Sequence, residues 1–166
     1  MTPTLSVQDR LVALLQEHQA TYRLVDHPAE GRTEIISQLR GNELRQAAKA
    51  IVVTVKQGKK GRRYFLCVVP GDRRLNLDAV KQLGRGDHVL FTPSELATEL
   101  TGCVSGAIPP ISFHADLQLV VDPELLENQE IVFNAACLEQ SIFVDSASYA
   151  RAAAPLLAPI ALPAGS

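Results

Sequence analysis

Ala50-Ile-Val-Val-Thr-Val55 and Tyr64-Phe-Leu-Cys-Val-Val69 are two apolar runs rich in β-branched and aromatic residues. Between them lies the polar, glycine-containing stretch Lys56-Gln-Gly-Lys-Lys-Gly-Arg-Arg63. Two such runs across a short glycine-bearing connection predict a β-hairpin. Neither run alternates cleanly with polar residues. Strands of that kind are covered on both faces, so the hairpin is expected at the centre of a sheet.

Working outward from the hairpin, helices and strands alternate. On the N-terminal side, Val7, Leu11, Leu14 and Leu15 recur at helical spacing behind the capping pair Ser6 and Asp9, giving a helix over about 6–19. Tyr22–Asp26 reads as a strand, and His27-Pro28 breaks the chain after it. Thr33–Arg40 reads as a helix stopped by Gly41, with a short helical turn over Asn42–Ala48. On the C-terminal side, Leu77–Leu83 is a helix ending at Gly84, and Asp87–Phe91 is a strand. Thr92-Pro-Ser-Glu95 has the signature of a helix start, with threonine as cap, and that helix should stop by Gly102. Leu117–Val121, Ile131–Phe133 and Ile142–Val144 are further strands, with Asp122-Pro123 capping a short helix after the first. A last helix is expected over Ala147–Leu157. No internal repeat or linker interrupts this order. The expectation is one α/β (α+β) domain with a mixed sheet over residues 1–157, and a frayed tail over 158–166.

Bulk composition narrows the function. The chain has 166 residues, 46% apolar and 20% charged, with net charge −2. That balance is ordinary for a globular protein and disfavours a generic nucleic-acid coat or polybasic membrane binder, though not a protein that grips one RNA end. Cys67, Cys103 and Cys137 are odd in number and widely spaced. They suggest neither a zinc knuckle nor a disulfide framework, so no metal or other cofactor is expected and a reducing cytoplasm is the simplest compartment. The N-terminus lacks a signal-peptide pattern, and no apolar run is long enough to span a membrane.

Two places could carry chemistry. Lys49 stands directly before the first hairpin strand, where an ammonium can point into a pocket or simply flank it in solvent. The loop over 101–114 contains Gly102, Gly106, Pro109 and Pro110. Such a loop can offer backbone N–H groups to a substrate carbonyl, or it can be a plain surface connection. A serine hydrolase elbow is absent, so Ser105, His27 and His114 make no recognisable triad. A thiolate at Cys103 is conceivable, and a packed thiol equally so. The basic hairpin tip could touch RNA phosphates or discourage edge pairing.

The order His27-Pro28, Thr33-Glu34, Lys49-Ala-Ile-Val-Val53, Gly106-Ala-Ile-Pro-Pro110, Asp122-Pro-Glu-Leu-Leu and Glu130-Ile-Val-Phe-Asn134 resembles the YbaK and prolyl-tRNA synthetase editing-domain family. The wording around Leu100–His114 resembles its YeaK-type freestanding branch. The resemblance implies a mixed, barrel-like sheet flanked by helices. It implies hydrolysis of the ester joining a wrong amino acid, such as Ser, Ala or Thr, to the acceptor end of a tRNA. It assigns Lys49 to the phosphate region of the terminal adenosine, and Gly106 and Pro110 to a G-x-x-x-P loop that orients the aminoacyl carbonyl. Water would attack with help from the tRNA's own ribose hydroxyl. Tyr22, His27, Thr33, Ile51, Ser105, Ala107, Ile108 and Pro109 are candidates for contacting the substrate. Mischarged tRNA is the implied partner, an aminoacyl-tRNA synthetase a further one. The sequence departs from the family where many members carry Ser or Thr in place of Pro109 and a histidine near Asn134. Two other readings stay open: a non-catalytic module that binds aminoacyl-tRNA or a synthetase, and a small-molecule hydrolase using Cys103.

Overall fold

The computed structural model describes residues 6–59 and 61–165. The hairpin is present and longer than its apolar runs: β2 (Ala48–Gln57) pairs antiparallel with β3 (Gly61–Pro70). Lys60, in the basic tip, lies outside the described residues. The two strands occupy interior positions of a five-stranded sheet ordered β4 (His88–Phe91), β2, β3, β5 (Leu117–Val121), β8 (Leu156–Leu157). A three-stranded antiparallel sheet, ordered β1 (Tyr22–Asp26), β7 (Gln140–Asp145), β6 (Glu130–Asn134), meets it at a bridge between Ala47 and Val132. β3 and β5 run parallel and the other long pairs antiparallel, so the larger sheet is mixed.

The unbroken apolarity of the hairpin has a direct cause. Successive side chains leave a strand on opposite faces. Val52, Leu66 and Val68 enter one core with Leu11, Leu15, Phe133 and Tyr149, whereas Val53, Val55, Phe65 and Cys67 enter a second core with Val80 and Ile160. Both faces are buried, so apolar residues fill nearly every position, and the one buried hydroxyl of the first run, that of Thr54, is hydrogen-bonded.

Helices cover these faces. α1 (Val7–Glu17) starts where the Ser6 hydroxyl accepts from the Asp9 N–H at 3.0 Å. α2 (Thr33–Arg40) ends at Gly41 with φ +74°, as expected of a left-handed cap. α3 (Leu77–Leu83) and α4 (Ser94–Thr101) follow, and Gly102 closes α4 at φ +73°. Between β5 and β6, the Asp122 carboxylate caps a short 3-10 helix over Pro123–Glu127.

Four local expectations need correction. Thr92 does not cap α4: its backbone still pairs with Val52 and its hydroxyl meets that of Thr54 at 2.8 Å, so Pro93 becomes the cap. The turn over 42–48 shrinks to a 3-10 turn, Leu44–Gln46, because Ala48 already belongs to β2. The last helix, α5, spans Ser146–Ala153 and stops at Ala154, which has φ +46°. Pro155 follows, and proline disfavours helix in the residue before it. The chain then re-enters the sheet as β8.

The segment after Ala158, expected to fray, is held instead. Ile160 is buried in the second core. The N–H groups of Ile160 and Ala161 both donate to Asp122 Oδ2, at 2.9 and 2.8 Å. The Asn76 and Leu162 amides bond to the carbonyls of Ile160 and Arg74. One carboxylate therefore ties the C-terminal segment to the end of β5.

This arrangement yields a stability prediction. Asp122→Ala removes the acceptor for three N–H groups, two of them in the tail. Each buried, unsatisfied donor costs about 1–3 kcal/mol. The expected loss in urea denaturation is about 3 kcal/mol, with early exchange of the Ile160 and Ala161 amides. A change below about 0.5 kcal/mol would contradict the assignment.

Candidate functional site

Lys49 and the 101–114 loop, far apart in sequence, line one cavity. It has a volume of about 190 Å³, with Lys49, Ser105, Gly106 and Ile108 in its wall. α2 forms another side. Thr33, Ile36 and Arg40 fall at helical spacing on one face, and all three reach the cavity. β6 closes the back with Phe133 and Asn134. A second lobe of about 210 Å³ lies across Ala50, Ser105, Gly106 and Ile108. Its remaining wall is more apolar, with Ile51, Val52, Ala97 and the exposed ring of Phe91.

The loop is rigid for reasons visible in its backbone. Gly106 has φ +87°, in the left-handed region. A Cβ on Gly106 would stand 2.7 Å from the Gly31 Cα, and one on Gly31 would stand 3.0 Å from the Gly106 Cα. The two loops touch backbone to backbone, which only glycine allows. Asn134 fastens the contact: its amide nitrogen donates to the Glu30 carbonyl at 2.9 Å and the Gly106 carbonyl at 2.8 Å. Farther along, Ala107, Pro109 and Pro110 are buried, and the hydroxyl of fully buried Tyr149 donates to the Pro110 carbonyl. Burial pushes the Tyr149 phenol well above its ordinary value, so it stays a neutral donor. The Ala107 N–H is consumed within the loop by the Val104 carbonyl at 3.0 Å. The N–H groups of Ser105, Gly106 and Ile108 have no hydrogen-bond partner among the described residues.

Two cations face the cavity. Lys49 is half-buried and forms no ion pair within 4.0 Å among the described residues. Burial pulls its pKa down, while Glu34 and Asp72 favour the charged form and Arg74 opposes it. Arg40 is the other. Burial lowers its guanidinium to about 10, and it has no carboxylate partner among the described residues. It is held by neutral groups: Nε donates to Asn42 Oδ1 at 3.0 Å, and Nη1 to Ser141 Oγ at 3.0 Å and Asn134 Oδ1 at 3.5 Å.

Of the residues singled out from sequence, Lys49, Thr33, Ser105, Gly106 and Ile108 meet at the cavity, and Ile51 lines the second lobe. Ala107, Pro109 and Pro110 are buried within the loop and line neither lobe. His27 stands behind the wall, its Nδ1 at 2.9 Å from the Pro28 carbonyl and its Nε2 at 2.6 Å from Ser141 Oγ. Tyr22 is elsewhere: it sits on β1, and its hydroxyl meets Gln16 at 3.2 Å. Cys103 is buried, and burial together with Cys137 pushes its thiol up to about 11, which removes the thiolate a nucleophile needs. The basic hairpin tip begins seven residues beyond Lys49 along β2, roughly 23 Å away. Among the described residues, no group of three or more His, Cys, Asp or Glu side chains is placed to hold a metal ion. No helix there is long and apolar enough to cross a membrane.

Sequence reasoning missed Arg40, Ile36, Ser141 and Tyr149. Arg40 was accessible in principle, because 33, 36 and 40 share a face of a helix already recognised. Ser141 and Tyr149 act only through long-range contacts that no local pattern announces.

Two glycines separate clash from strain. Gly106 and Gly41 both have positive φ, but nothing lies within 4 Å of a Cβ on Gly41. Gly41→Ala should cost about 1 kcal/mol, the left-handed penalty alone. Gly106→Ala adds the collision with Gly31 and should cost about 3 kcal/mol, or shift the loop. Equal losses in urea denaturation would contradict the close contact.

The chain is similar to several known proteins. The family model for the aminoacyl-tRNA editing domain matches residues 27–152. The chain is 43% identical over 150 residues to the multifunctional Ser/Thr-tRNA deacylase ProXp-y of Escherichia coli strain K12, covering 89% of each. It is 27% identical over 129 residues to a proline–tRNA ligase of Methylobacillus flagellatus, covering 74% of this chain and 22% of the ligase. A crystal structure given a proposed trans-editing role for prolyl tRNA synthetase superposes with a TM-score of 0.76 at 22% identity, covering 97% of this chain and all (100%) of that one. Another, of a hypothetical protein, gives 0.81 at 21% identity, covering 92% and 99%. At those identities the structures establish the shared fold. The family match over residues 27–152 and the 43% identical relative show that this chain belongs to the aminoacyl-tRNA editing domain family.

Proposed function

We propose that the protein is an aminoacyl-tRNA deacylase that hydrolyses the ester of a mischarged tRNA, with seryl and threonyl esters as its substrates. The observation that carries this reading is the Gly106 loop. It is pinned to Gly31 and Asn134, with its Ser105, Gly106 and Ile108 N–H groups unpartnered among the described residues, on the same cavity as a half-buried Lys49. The named activity of the 43% identical relative supports it, and so does the size of the cavity.

The roles follow from the geometry and from the family resemblance. The smaller lobe, walled by Thr33 and Ile36, takes the amino-acid side chain. The apolar lobe takes the terminal adenosine, against Phe91 and Ile51. The two lobes meet at Gly106, so the ester lies over the loop. There the N–H groups of Gly106 and Ile108 receive the carbonyl oxygen, while that of Ala107 is already spent on Val104. Charge developing on that oxygen meets donors fixed in advance, which lowers the barrier without reorganisation. Lys49 binds the phosphate side of the adenosine. Its half-buried position already removes part of an ammonium's strong hydration, which lowers the cost of exchanging water for phosphate.

No protein nucleophile is needed. Water attacks the carbonyl carbon, the ribose hydroxyl beside the ester assists in moving its proton, and the ribose oxygen leaves as a hydroxyl. The protein contributes position and electrostatics, which are large terms for ester cleavage. The compartment is the cytoplasm, where tRNAs are charged. A synthetase is a reasonable companion, since near-isosteric amino acids differ by only about 1–3 kcal/mol in a binding pocket and require a second check.

The test is release of amino acid from a panel of mischarged tRNAs. The wild type should act on seryl- and threonyl-tRNA. Lys49→Ala should lose at least about a hundredfold in kcat/KM with unchanged circular dichroism, while Cys103→Ala should stay within about twofold of wild type. Binding of every tRNA with turnover of none would favour a non-catalytic module. Activity lost with Cys103 and kept without Lys49 would reverse the assignment of roles.

A further inference from the structure

Arg40 has no assigned part in this chemistry, yet a guanidinium in the wall of a small side-chain pocket is costly without a purpose. Its donors can be counted. Nε is engaged by Asn42, and Nη1 by Ser141 and Asn134. Nη2 has no partner among the described residues, and no unpartnered side-chain nitrogen or oxygen in the described structure is fully buried. A solvent-reachable N–H donor therefore belongs to a residue lining the same lobe as Thr33, Ile36 and Phe133.

We infer that Arg40 Nη2 donates to the side-chain hydroxyl of the amino acid being removed, making Arg40 the residue that selects seryl and threonyl esters over alanyl ones. This rests on the deacylase reading above. The occupant has to be an acceptor small enough for a lobe of about 190 Å³ that also holds part of the ester. A carboxylate would use two parallel donors, and both forks of Arg40 are broken because Nε and Nη1 are each committed. Nη2 keeps two N–H groups, which diverge from each other, so each suits a single hydroxyl oxygen and the pair cannot chelate a carboxylate. The guanidinium's setting also makes it a fixed donor. Two neutral side chains grip Nη1, and Ser141 is in turn held by Asn134 Oδ1 at 3.0 Å and by His27. A site built to bond a hydroxyl rejects the analogue lacking it, because the pocket's donor is then left unpaired. A methyl side chain would leave Nη2 shut away from water without an acceptor.

The test compares seryl and alanyl substrates in wild type and Arg40→Met. First, kcat/KM is measured for seryl-, threonyl- and alanyl-tRNA. Second, binding of 3′-seryl-amido- and 3′-alanyl-amido-3′-deoxyadenosine, which cannot be hydrolysed, is measured by calorimetry. Wild type should prefer the seryl form in both by about ten- to hundredfold. Arg40→Met should erase that ratio by losing far more on the seryl than on the alanyl analogue, and its retained alanyl binding shows that the pocket is intact. Arg40→Lys should recover part of the preference. A wild type without the preference, or an Arg40→Met protein that keeps it, would overturn the inference. So would equal losses on seryl and alanyl forms, because a merely structural Arg40 acts on both alike. If the wild type neither binds the analogues nor releases any amino acid, the deacylase reading fails first, and that result is distinct from a failure of Arg40 alone.

Discussion

The side-chain amide of Asn134 joins two loops that the sequence keeps about 75 residues apart. Its nitrogen serves the carbonyls of Glu30 and Gly106 together, and between those carbonyls the backbones of Gly31 and Gly106 touch. The rest of the site depends on this junction. Without it the Gly106 loop would be an ordinary exposed connection, free to turn its N–H groups toward solvent. With it, the loop lies across the mouth of β2 beside Lys49.

The junction is itself supported from behind. Asn134 Oδ1 accepts from Ser141 and from Arg40, so the amide cannot rotate without losing bonds at both ends. Ser141 also meets His27, whose other nitrogen faces the Pro28 carbonyl. That carbonyl can only accept, so Nδ1 carries a proton. His27 thus belongs to the support of the site and not to its cavity. At the other end of the loop, Tyr149 holds the Pro110 carbonyl from inside the main core, which couples the loop's position to the packing of α5.

How much of this was legible in the sequence follows the range of the interactions involved. The hairpin, α2 with its Gly41 stop, and the Asp122 cap are written in local patterns, and each stands where the residues indicated. Lys49 and Gly106 were legible as a pair only through the order of motifs along the chain. Elements decided by distant partners were not. Composition marked the segment after Ala158 as loose, but its amides find a carboxylate on the far side of β5. Thr92 has the chemistry of a helix cap, yet Thr54 on the neighbouring strand claims its hydroxyl. Tyr22 looked available for substrate because nothing local opposes it, and only the pairing of β1 with β7 turns it away. Asn134 was visible merely as a departure from the family's usual histidine. Its role appears once β6 is placed against both loops.

On the proposed reading, catalysis depends on a backbone loop held in place, and Asn134→Ala removes what holds it. The measurement is the single-turnover rate of seryl-tRNA hydrolysis at saturating protein, which isolates the chemical step from binding. Loss of the junction should lower that rate by about a hundredfold or more, since small misplacements of a positioned reaction carry penalties of that order. The protein should remain folded by circular dichroism and still bind the tRNA. A rate within about twofold of wild type, in a folded protein, would contradict the account.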